Sequence, residues 1–143
     1  MAKDLIITNG DQVLFNPAFG PATVIVRPGI IQGSGKATVN GKQICILGDE
    51  ENVIVSGCAY TAGPFTQPGI GSLKIVPFSA SQHTEVSTDV LGKIILKGGA
   101  FRAVFEVMTA AIQVTPTGPV QDPVTEYHGI AQFVTGNLKI KAS

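Results

Sequence analysis

Apolar positions along this chain come in short runs, and each run is cut off by glycine, proline or asparagine. Val24, Ile25 and Val26 stop at Pro28-Gly29. Over 42–47, Lys42, Ile44 and Ile46 fall on one side while Gln43, Cys45 and Leu47 fall on the other, the two-residue period of a strand. Similar runs predict strands at 4–8, 12–15, 22–27, 36–39, 53–55, 73–78, 93–97, 129–135 and 138–141. Asn9-Gly10, Asn40-Gly41 and Gly136-Asn137 each separate two such runs, which predicts three hairpins.

Four stretches depart from this rhythm. Residues 58–71 form the least regular one, and Pro68-Gly69 suits the middle of a type II turn. Residues 79–92 are polar and read as a short helix or a long loop. Pro116, Pro119 and Pro123 make 115–127 an extended linker rather than a strand or helix. The run 100–112 fits two periods. Phe101, Val104, Phe105, Met108 and Ile112 would share a helical face, with Arg102 and Glu106 as an i,i+4 pair. Phe101, Ala103, Phe105 and Val107 would share a strand face. Gly98-Gly99 precedes the run and the rest of the chain is strand-biased, so the prediction is a strand over 101–108.

Composition sharpens the fold class. Ile, Val and Thr number 15, 15 and 12, against 7 Leu and 5 Glu. Branched side chains lose rotamer freedom in helices and pack well on a pleated sheet. With 17 Gly and 9 Pro to make turns, the expectation is an all-β, compact single domain, a cone-like body or a small barrel or sandwich. A length of 143 residues suits one domain. Only 14% of residues are charged and the formal net charge is zero, which argues against a nucleic-acid partner. No apolar run approaches the length of a membrane helix, and residues 1–5 lack the pattern of a secretion signal. A weak internal echo pairs 41–48 with 92–98, and 71–75 with 136–140, in the order A-B-A-B.

Candidate chemistry is sparse. Cys45, Cys58, His83 and His128 are the only soft ligands, and together they would suit a tetrahedral zinc site. Two other readings stand beside it: buried thiols with surface histidines, or a Cys45–Cys58 disulfide. Asp49, Glu50 and Glu51 read as a solvated turn. No histidine has a nucleophile and an orienting acid beside it in sequence, so no enzyme is expected.

Several segments resemble the PAAR-like spike-tip proteins of contractile injection systems: type VI secretion, phage tails and phage-tail-like particles. They are Val39-Asn40-Gly41-Lys42-Gln43-Ile44-Cys45, Gly48-Asp49-Glu50, Gly57-Cys58-Ala59-Tyr60 and Pro68-Gly69-Ile70-Gly71-Ser72-Leu73. Leu96-Lys97-Gly98, Phe101-Arg102-Ala103-Val104-Phe105-Glu106-Val107 and the proline-rich 115–124 continue the likeness, which spans roughly 37–140. There are departures. No Pro-Ala-Ala-Arg occurs, the nearest being Pro21-Ala22-Thr23, and the family's metal set of three His and one Cys meets only two His here.

The resemblance implies a structural tip that caps a trimeric spike protein, VgrG-like or phage-hub-like, and sharpens it for membrane puncture. It implies assembly in the bacterial cytoplasm, effector cargo, transient membrane contact on injection and delivery to the outside or into a target cell. Residues 1–36 then read as an N-terminal extension ahead of the minimal tip. One chain facing three needs three similar docking segments. The expected docking surface is 57–71 with its neighbouring strands, anchored by Tyr60, Phe65 and Ile70; the other reading folds Phe65 and Ile70 back onto the domain's own core. The alternatives are a non-piercing β structural domain of a tail, virion or surface assembly, or a small-ligand binding module.

Overall fold

The computed structural model describes residues 4–76, 83–89, 92–135 and 141–142. Among them every regular element except one 3-10 turn, Asp49–Asn52, is a strand. The chain makes three excursions, each leaving one end of the molecule and returning to it. The first runs out along β2 (Gln12–Phe15), passes β3 (Ala18–Phe19), and comes back through β4 (Ala22–Val24) and β5 (Gly29–Ile30). In the second, β8 (Ile54–Ala62) goes out and β9 (Phe65–Ile75) returns. β12 (Phe101–Thr109) opens the third, which adds a hairpin of β13 (Ile112–Thr115) and β14 (Gly118–Gln121) before β15 (Glu126–Val134) returns.

These strands pair in the order β3-β4-β8-β9-β12-β15-β2-β5, all antiparallel, as a sheet curled into a half-barrel. β4 and β5 lie near opposite ends of that path yet follow each other in the chain. The stretch 25–28 therefore bridges the opening.

Side chains from alternate positions fill the curl. Phe19, Tyr60, Phe105 and Phe133 are fully buried, with Leu73, Val13 and Val24 around them. Phe105 sits at the centre, its ring 5.1 Å from Tyr60 and 6.2 Å from Phe19 between centroids. It fits only because Gly71 faces it: a Cβ there would lie 2.4 Å from the Phe105 ring and 2.4 Å from the Glu106 carbonyl oxygen.

Two of the expected hairpins can be judged. Asn40-Gly41 does turn between paired strands β6 (Thr38–Val39) and β7 (Lys42–Gln43), with both residues at positive φ. Asn9-Gly10 turns as well, but its flanking runs do not pair; β2 bonds to β15 and β5 instead. The Gly136-Asn137 turn falls outside the described residues. The strand predicted over 101–108 is present as β12.

Four readings are corrected. The irregular 58–71 belongs to the two long strands β8 and β9, and Pro68-Gly69 lies inside β9 rather than in a turn. Packing demands that glycine, since a Cβ at Gly69 would meet the Thr109 oxygen at 2.3 Å. The polar 79–92 contains strand β10 (His83–Asp89), paired with β11 (Gly92–Ile95). The proline-rich 115–127 contains β14, an edge strand, where a proline costs little because its missing N–H faces no neighbour. The supposed extension 1–36 is no appendage: its described residues supply the whole first excursion.

Candidate spike-docking end

Three seven-residue segments meet at the end from which the excursions start. They are Leu5-Ile6-Ile7-Thr8-Asn9-Gly10-Asp11, Gln43-Ile44-Cys45-Ile46-Leu47-Gly48-Asp49 and Lys93-Ile94-Ile95-Leu96-Lys97-Gly98-Gly99. Their backbones close a ring. The central residues bond in a cycle: Ile7 N–H to the Ile95 oxygen at 3.0 Å, Ile95 N–H to Cys45 at 2.9 Å, Cys45 N–H to Ile7 at 2.9 Å. Two residues further on, a second cycle repeats the first: Asn9 N–H to Gln43 oxygen at 2.7 Å, Leu47 N–H to Lys93 at 2.7 Å, Lys97 N–H to Leu5 at 2.8 Å. Each segment therefore pairs with one neighbour through its first half and the other through its second half. The bridges Ile6–Leu96, Thr8–Ile44 and Ile46–Ile94 complete this pseudo-three-fold plate.

The local chemistry repeats too. The second-to-last residue of each segment is a glycine at positive φ, Gly10 (89°), Gly48 (112°) and Gly98 (55°), a conformation open to glycine at no steric cost. After two of them stands a buried aspartate that bonds back to the residue three before it. Asp11 accepts from Thr8 N–H at 2.8 Å, and Asp49 from Ile46 N–H at 2.9 Å. Asp49 also takes Ser34 N–H at 3.0 Å and the Ser34 hydroxyl at 2.6 Å.

One face of the plate feeds Ile7, Cys45 and Ile95 into the half-barrel core. The other presents Ile6, Ile44, Ile46, Ile94 and Leu96, which with Val39 make a second small core. Thr8 stands alone among the equivalent positions as a polar residue.

From the plate project three two-stranded arms. β6 pairs with β7, β10 with β11, and β1 (Asp4–Leu5) with β16 (Lys141–Ala142). The registers are equivalent: Gln43 faces Thr38, Lys93 faces Thr88, and Leu5 faces Lys141. Two arms join successive excursions, and the third joins the last to the first. A model of the contractile injection system spike tip protein family matches residues 1–143.

The chain belongs to the spike-tip family of contractile injection systems. Its role is therefore structural, at the tip of such an apparatus. No curated protein matches the chain. Among the described residues no helix is long and apolar enough to cross a membrane.

The metal candidates whose side chains are described do not converge. His128 projects from the outer face of β15 with its side chain 62% exposed, 3.8 Å from Glu126. Cys45 and Cys58 are buried free thiols, which also removes the disulfide reading. The His83 side chain lies outside the described residues. Among those described, no three His, Cys, Asp or Glu side chains are placed to hold a metal ion. Burial, and then the charges of Asp49, Asp11 and Glu50, push the Cys45 thiol up and keep it protonated. With His128 on the exposed outer face and Cys45 inside the apolar core, the described residues of this set do not form a metal site.

The docking anchors scatter as well. Tyr60 is 1% exposed. Its hydroxyl donates to Asp122 at 2.9 Å and accepts from Ala111 N–H at 2.9 Å, so it is a core residue and no surface anchor. Phe65 is half-buried and leans on the core, while Ile70 is exposed. The threefold end was half visible in sequence, in the echo of 41–48 with 92–98. The first copy is harder to see because Thr8 and Asn9 replace the apolar or basic residues of the other two.

Proposed function

We propose that this chain caps a homotrimeric spike, one copy on three, with the ring and its arms facing the spike and the opposite end leading into the target membrane. One observation supports it above all: a single chain presents three equivalent backbone segments around an axis. An asymmetric body cannot satisfy three identical strand ends at once unless it repeats itself three times. Strand ends left open on a spike are aggregation hazards, and added strands satisfy their hydrogen bonds. Among the described residues, the outer arm strands β6, β10 and β16 each pair on one side only. The work is mechanical rather than catalytic.

Mixing the purified chain with the spike trimer from the same gene cluster tests this. The expected complex has the mass of three spike chains and one tip. A chain that forms a stable homotrimer of its own, and ignores the spike, overturns the reading.

A further inference from the structure

The end opposite the ring is built from three turns, and they are nearly free of charge. Across 16–24, 58–71 and 108–125 the sole Asp, Glu, Lys, Arg or His is Asp122, in a chain that is 14% charged overall. Asp122 is itself buried. It is held inward by the Tyr60 hydroxyl at 2.9 Å, the Tyr127 hydroxyl at 2.6 Å and Val124 N–H at 3.0 Å. Pro21, Pro64, Phe65, Pro123 and Val124 line an apolar recess of about 230 Å³ between the turns.

One element at this end has no counterpart in the other two excursions: the β13–β14 hairpin. It pairs with the main sheet at a single register position, Ile112 opposite Gln67. Val114 is 66% exposed and stands opposite Pro119, while Val120 is 44% exposed and stands opposite Gln113. Residues that face each other across a pair share a face, so the two valines project from opposite faces. Met108, 69% exposed, lies at the base. The hydroxyls at the turn are satisfied within it, Thr115 donating to the Gly118 oxygen at 2.6 Å. A protein groove covers one face of such a finger. A lipid surface surrounds it, and the lack of any charged residue in the finger itself removes the main cost of entering one.

We propose that the β13–β14 finger seats in the boundary between headgroups and acyl chains of an electrically neutral lipid surface. The inference takes from the docking reading only which end leads. The open backbone edge of β14 limits the seat to the interfacial layer, since unpaired N–H and C=O groups are not tolerated in the hydrocarbon.

The test uses the full chain with Val114→Cys carrying an environment-sensitive fluorophore, the two native thiols being buried. Phosphatidylcholine vesicles should shift its emission to the blue, equally at about 0.05 and 0.5 M salt because no charge attraction is involved. In unlabelled protein, Val114→Asp with Val120→Asp should lower vesicle partition by about tenfold or more while leaving the thermal midpoint unchanged. No shift at millimolar lipid overturns the proposal. So does binding confined to anionic vesicles and lost in salt, or finger variants that partition like the wild type. A finger that binds a soluble protein and ignores vesicles overturns it too. A wild-type chain that partitions onto vesicles but never joins the spike trimer overturns the docking reading and leaves the lipid seat standing.

Discussion

At the ring end, three stretches with different side chains follow one backbone path; at the far end, three turns share neither length nor path. The difference lies in what holds each end together. Six hydrogen bonds of 2.7–3.0 Å run around the ring in two cycles, and all six are made by main chain. Main-chain bonding tolerates Ile7, Cys45 and Ile95 at one position, because each is apolar and each fits the core. The far turns make no such closed set. Their only built polar centre is Asp122 with two tyrosines, and it faces inward. Repetition is thus kept at one end, and variation is confined to the other.

Substitutions at the two ends make the contrast measurable. Ile95→Ala at the ring removes a fully buried side chain from a residue whose main chain sits in the first cycle of bonds, and should cost about 3–4 kcal/mol. Val114→Ala in the finger should move stability by less than about 0.5 kcal/mol. Urea midpoints of the two variants check this. Equal costs would mean that the ring is not where the fold is anchored.

Much of the barrel was legible in the sequence, and the ring only in part, through the echo of 41–48 with 92–98. β12 declared itself through Phe101, Ala103 and Phe105, whose alternation matches their burial. The hairpin at Asn40-Gly41 followed from turn chemistry, since both residues adopt positive φ. β9 was misread because Pro68, Gly69 and Gly71 look like turn residues, whereas two of them are glycine to let Thr109 and Phe105 approach. Nothing local marks β10 either, whose residues show no apolar alternation. The rest of the ring escaped for a different reason. Its three segments are far apart in sequence and pair by backbone, so the side-chain pattern of any one carries little of the signal. The metal and docking expectations rested on residue type alone, and burial separated Tyr60 from Ile70 and Cys58 from His128.

Polar anchors within the ring should cost less than its core. Asp49→Ala leaves Ile46 N–H and both donors of Ser34 without their acceptor, at about 2–3 kcal/mol. Asp11→Ala removes an acceptor for the Thr8 N–H and hydroxyl and should cost somewhat less. Calorimetry on the two variants measures the ordering, and a larger loss at Asp11 would show that Ser34 adds nothing. The glycines come next. Gly10→Ala and Gly48→Ala meet no atom within 4 Å, so their cost is conformational alone, about 1–2 kcal/mol each. Near-equal values would be the energetic mark of equivalent turns. A twofold disparity would show that the likeness is one of shape only.

The smallest expected effect separates one ring segment from its two relatives. The residue after the buried aspartate is Glu50 in the second segment, while the first has Gln12 after Asp11 and the third has Ala100 after Gly99. Glu50 is buried and accepts a hydrogen bond from Gly48 N–H. Burial pushes its carboxyl above the ordinary range; bonds from Gly48 and its own backbone pull it back in part, and Glu51 and Asp49 push it up again. With the folded-state value above the unfolded one, the native chain is the better proton binder. Stability is therefore fully present below the ordinary carboxylate range and falls as pH rises through the raised value. Glu50→Gln keeps an acceptor for Gly48 and cannot ionise. Its stability relative to wild type should accordingly grow from about pH 4 to pH 8, by an amount traceable to this one residue. Urea titrations of both proteins across that range decide the matter. A difference that is flat with pH, or that shrinks as pH rises, would show that the second segment carries no ionisation of its own and that all three respond to pH alike.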